Sequence, residues 1–106
     1  MVNESKRVFG VDAEIALLEY LVDLAEQYLG DIIEEVIEKY YSDKIDLSER
    51  YVDVLEFITE KIIDESLNGD ENPEKFKKIV RKLSARPYIA KMLISYLVSE
   101  YIENYG

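Results

Sequence analysis

The chain contains no cysteine, no histidine and no tryptophan, and only 4 glycines and 2 prolines in 106 residues. Without thiols there is no disulfide framework, and without imidazole or thiolate there is no zinc site built on His or Cys. Hydroxyl nucleophiles lack a partner for the same reason: Ser42, Ser48, Ser66, Ser84, Ser95 and Ser99 have no imidazole base. Neither a P-loop nor a dinucleotide-binding glycine fingerprint occurs, so no glycine loop is available to cradle phosphate. Residues 1–10 carry Lys6 and Arg7 but no apolar run behind them, and no stretch is apolar enough to span a bilayer. A cytoplasmic location is the expectation. A single Gln (Gln27) beside many Glu, Lys and Ile resembles the composition of proteins from hot environments.

What is present suits one helical domain. Hydrophobic residues make up 48% of the chain, enough for a core, and charged residues 34%. Residues 1–11 show no sustained pattern and read as a loose N-terminal arm, leaving 12–106 as a single domain. Asp12 suits an N-cap, and apolar residues then recur at Leu17, Leu18, Leu21, Ala25, Tyr28, Leu29, Ile32, Val36 and Ile37, spacings of three and four that predict a helix. The polar stripe keeps its phase across Gly30, so one long helix over about 12–41 is expected, with a kink at Gly30 as the alternative.

Three shorter helices follow. Ser48 reads as the cap of a helix over about 48–68, with Leu47 and Val52 as a hydrophobic staple and Asn68-Gly69 as its stop. Asn72-Pro73 opens a third over 73–85, with Phe76, Ile79, Val80 and Leu83 as its apolar face. Pro87 opens the last, to about 104. The fold class is therefore all-α, a four-helix bundle-like single domain.

The last helix has little polar surface: Lys91, Ser95 and Ser99 form one narrow stripe, and Glu100 stands apart. A helix apolar nearly all round is buried on most sides. Three other helices in so short a chain leave part of it uncovered, so a homodimer is expected, with Tyr88, Met92, Tyr96, Tyr101 and Ile102 at the seam.

Charge is segregated along the chain. Residues 12–71 hold 19 acidic and 4 basic side chains, whereas 72–91 carry Glu74 against seven Lys and Arg; the whole chain stands at −10. Lys77, Lys78, Arg81, Lys82 and Arg86 thus form a basic patch that either offsets the acidic helices or meets phosphate. The acidic field around the patch disfavours a polyanion, so nucleic acid is not the expected partner. An acidic mimic of nucleic acid, or an adaptor for a protein that processes it, is a further alternative.

The densest functional groups are carboxylates. Glu34, Glu35 and Glu38 share a face of the first helix with Asp31, and Asp53 lies on the second with Glu49 and Glu56. In Glu35-x-x-Glu38 and the segment around Asp53, the chain resembles the all-α NTP pyrophosphohydrolases of the MazG and dUTPase type. Arg50 stands where the second half of their motif has an acid. The resemblance implies Mg²⁺ held by Glu34, Glu35, Glu38 and Asp53 against a triphosphate. The leading expectation remains an interaction or assembly protein without catalytic activity and without a cofactor, with the Mg²⁺-dependent enzyme as the alternative.

Overall fold

The computed structural model describes residues 2–105 and the side chains of residues 13–105. Four helices make up the fold: α1 (Val2–Tyr40), α2 (Leu47–Ser66), α3 (Pro73–Ser84) and α4 (Pro87–Tyr105). It is an all-α, four-helix bundle-like domain. α1 packs against each of the other three helices, and α4 also touches α2 and α3. The common core runs along α1 through Leu21, Ala25, Leu29, Ile33 and Ile37 and meets Val54, Ile58, Phe76, Val80, Ile94 and Val98. The arm expected over residues 1–11 lies outside the side chains described. α1 continues N-terminally past Asp12, which is therefore inside the helix and not its cap.

Gly30 does not break α1, which runs on as helix through it; it seats a side chain from α2. A Cβ at this position would lie 3.0 Å from the Tyr51 hydroxyl and 3.4 Å from Glu26 Cγ. The glycine thus gives up helix propensity so that the tyrosine can lie against the α1 backbone. Gly30→Ala in a Tyr51→Phe background is expected to raise stability by about 1 kcal/mol, the ordinary Gly-to-Ala gain in a helix interior. With Tyr51 intact the gain falls below half of that, because the hydroxyl has to move. Urea unfolding of the two single variants and the double variant measures this coupling, and additive effects would show that Tyr51 does not explain the glycine.

Helix ends follow local hydrogen bonding, and the cap of α2 differs from the sequence reading. α2 is capped by Asp46 rather than Ser48: its Oδ1 accepts from Ser48 N at 3.1 Å and from Ser48 Oγ at 2.6 Å. Aspartate is the stronger acceptor, and the helix starts earlier for it. Val52 is consequently not a staple residue but stands exposed. At the other end Asn68 (φ 53°) and Gly69 (φ 84°) are both left-handed, so the Asn68-Gly69 pair stops the helix as expected, and Gly69 N donates to Ile63 O at 3.0 Å. α3 begins as expected: Asn72 Oδ1 accepts from Glu74 N at 2.9 Å and Lys75 N at 3.2 Å, and Pro73 needs no acceptor in the first turn. Asp70 secures this start through an ion pair with Lys75 at 2.9 Å, which holds the exposed Asp70 carboxyl below its usual pKa.

Candidate functional site

α4 is built with two apolar faces, and only one of them is used by the bundle. Ala90, Ile94, Leu97, Val98 and Tyr101 point inward and are buried. On the other side Tyr88, Met92 and Tyr96 follow one another at i, i+4 and i+8, with Ile89 beside them. Their exposures are 84%, 74%, 56% and 51% for Tyr88, Met92, Tyr96 and Ile89. Large apolar side chains set side by side in water at such exposure mark a contact surface more often than chance spacing does.

Before its last turn, where Glu103 and Asn104 are exposed, the polar residues of α4 do not form its solvent face. Lys91 Nζ reaches Glu35 Oε2 of α1 at 3.0 Å, an ion pair that keeps the lysine protonated to higher pH than usual. Ser95 meets the Tyr41 hydroxyl, which lies 3.2 Å from both its Oγ and its carbonyl oxygen. On the opposite flank Glu100 pairs with Lys61 of α2 at 3.5 Å. Ser99 turns its hydroxyl back onto the Tyr96 carbonyl at 2.9 Å. Polar groups therefore fasten the edges of α4 to its neighbours, and the middle of the outward face is left to Tyr88, Met92 and Tyr96.

Two residues expected at this seam are placed elsewhere. Tyr101 is only 4% exposed and belongs to the core. It shares the phase of Ala90, Ile94 and Leu97, not that of Tyr88 and Tyr96. Its ring packs edge-on against Phe57 at 5.5 Å, and its hydroxyl accepts from Arg50 Nη1 at 3.2 Å. Ile102 is half-buried against the core. Ile89, by contrast, was not singled out in the sequence; its exposure follows from standing three residues before Met92 on the free face.

The carboxylates divide between two regions. Glu34, Glu35 and Glu38 stand exposed on α1 around a shallow depression with Asp31 and Lys39. Asp53 lines a different cavity of about 220 Å³ on α2, floored by Phe57, Tyr101 and Tyr105 and shared with Arg50, Glu56 and Glu60. The MazG-type quartet is thus not drawn together around one point, and Glu35 is engaged by Lys91. Among the described residues, no three carboxylates are grouped closely enough to hold a metal ion.

The five cations of the basic patch lie on α3 and just beyond it. Lys78, Arg81, Lys82 and Arg86 are exposed and Lys77 is half-buried. Among the described residues none of them makes an ion pair. Arg81 and Lys82 sit in the last turn of α3, where positive charge is favoured by the helix dipole. That alone accounts for cations at this end of the helix.

Comparison with models of known protein families, with characterised proteins and with solved structures gives no match for this chain. Its own surface is what bears on function.

Proposed function

We propose that this chain is an interaction and assembly protein without a catalytic step, and that it forms a homodimer by pairing α4 with α4 of a second copy. The carrying observation is the contiguous exposed run of Tyr88, Ile89, Met92 and Tyr96 on a helix whose opposite face already fills the core. A two-fold pairing sets this run against itself, so that each aromatic ring covers apolar surface of the twin helix. Tyrosine and methionine suit such a seam: large contact area, few rotatable bonds for the ring, and a hydroxyl that can stay wet at the rim. The absence of His and Cys from the whole sequence leaves no imidazole or thiolate to act as base or nucleophile. No helix among the described residues is long and apolar enough to cross a membrane, and the cytoplasm is the location proposed with this function.

Light scattering coupled to size exclusion tests the dimer. At micromolar concentration the wild-type chain is expected at twice its 12.4 kDa mass. Tyr96→Glu, alone or with Met92→Glu, is expected to run at 12.4 kDa with unchanged helical circular dichroism. A central aromatic anchor is typically worth 2 kcal/mol or more, about a thirtyfold change in dissociation constant. A wild-type monomer at these concentrations would overturn the proposal.

A further inference from the structure

A second exposed apolar surface lies between α1 and α2, and its chemistry is different. It is a groove of about 420 Å³ whose floor is made by Leu18, Val22 and Leu55, flanked by Ile15 and Val52. Ile15 is 52% exposed and Val52 58%. On α1, Ile15, Leu18 and Val22 stand at i, i+3 and i+7, a continuous apolar stripe. Beside that stripe the rim is acidic: Glu19, Asp23 and Glu26 from α1 and Glu56 from α2, with no Lys or Arg lining the groove among the described residues. The Tyr51 phenol at one end registers this field. Burial first, then the Glu26 carboxylate, pushes its pKa up to about 12.

Shape and charge together define what fits. From Ile15 to Glu26 the groove follows about three turns of helix, roughly 16 Å at 1.5 Å per residue. An open seam between two helices receives a third by ridge-into-groove packing. The occupant needs apolar residues at i, i+3 or i+4, and i+7, with Lys or Arg on both shoulders opposite the four carboxylates. Neither α3 nor α4 offers such a segment among the described side chains. α3 is cationic, but Phe76 and Val80 on its apolar face are fully buried. The free face of α4 brings no cation, because Lys91 is paired with Glu35.

We propose that the α1–α2 groove docks a cationic amphipathic helix of a different protein, with the apolar floor holding it and the acidic rim selecting its charge. The inference is independent of the α4 dimer, since it uses other residues and another partner. Apolar anchoring sets the lifetime of such a complex, and the carboxylates speed its formation and make it sensitive to salt.

The test uses the full chain and three fluorescent 18-residue peptides followed by anisotropy. One is a Leu/Lys helix with a single apolar stripe, one has the same composition in scrambled order, and one is the Leu/Glu counterpart of the first. The Leu/Lys helix is expected to bind and the other two to bind at least tenfold more weakly. Val52→Lys, and separately Glu19→Lys with Asp23→Lys, are each expected to weaken binding about tenfold, a loss of about 1.4 kcal/mol. All these positions are on exposed turns, and circular dichroism verifies that the variants remain folded. Going from 50 to 500 mM NaCl is expected to weaken binding by about tenfold as well, by screening the rim. Equal binding of the scrambled peptide, or indifference to the groove variants, would mean general adhesion to an acidic surface and would overturn the proposal. So would no binding at all, or conversion of the wild-type dimer to a monomer by Val52→Lys, which would give the groove to a second copy. Repeating the titration on the Met92→Glu/Tyr96→Glu chain keeps the two hypotheses apart: peptide binding there survives a failure of the α4 dimer.

Discussion

Phe76→Ala is expected to remove about 3–5 kcal/mol of stability, the cost of emptying a fully buried aromatic site. The reason lies in how little else holds α3. That helix has 12 residues, too few to be stable alone, and its outer face is cationic. Only Phe76 and Val80 are completely buried on it, with Ile79 and Leu83 packed against the edge of the core. Phe76 is also among the largest fully enclosed side chains of the molecule. Against a typical total of about 5–15 kcal/mol for a domain, its loss takes a large fraction. Urea unfolding should show a much lower midpoint, and hydrogen exchange should show α3 amides losing protection ahead of those of α1. Phe76→Leu, which retains most of the volume, should lose only about 1 kcal/mol. An unchanged midpoint for the alanine variant would mean that α3 is held by something other than this ring.

The second large effect is expected at Tyr101. Alanine there removes a nearly buried ring that touches Phe57 at 5.5 Å and Tyr105 at 5.2 Å, and leaves Arg50 without its acceptor. A loss of about 3 kcal/mol follows from the vacated space and the broken aromatic contacts. Tyr101→Phe isolates the hydroxyl and its bond to Arg50, and costs less than the alanine variant because the ring stays in place. The comparison with Tyr96 separates two roles for tyrosines five residues apart on one helix. Tyr96→Glu should change mass in solution and leave protomer unfolding nearly untouched. Tyr101→Phe should lower the unfolding midpoint and leave the mass alone. A mass change for Tyr101→Phe would return that residue to the interface.

These two positions also show where sequence reasoning succeeded and where it stopped. Phe76 was readable because α3 has one apolar face and one charged face, so periodicity alone orients it. α4 has no such contrast. An apolar residue at nearly every position reveals that the helix is demanding of cover, but not which side the bundle takes, and Tyr101 was assigned to the wrong side for that reason. The same ambiguity hid the role of Lys91 and Ser95, whose polar stripe fastens α4 to α1 and Tyr41 instead of facing open water. Gly30 was legible as continuous helix from the phase of the stripe, whereas its cause, the Tyr51 hydroxyl, is a contact between residues distant in sequence. The α1–α2 groove is hidden in the sequence because Val52 has a local explanation as a staple; its being out of step with Val54 and Ile58 is the available signal.

The exposed turn at Asn68–Asn72 has a consequence for how the polypeptide could be divided. Residues 1–71 carry a net charge of −14 and residues 72–106 a net of +4. A single backbone cut there would release no side chain of the common core, because α1 grips α3 and α4 directly. The fragments would attract one another through opposite electrostatic sign and through matching greasy surfaces. The molecule is in this respect a two-piece object joined by a tether, suited to reconstitution from separately made halves.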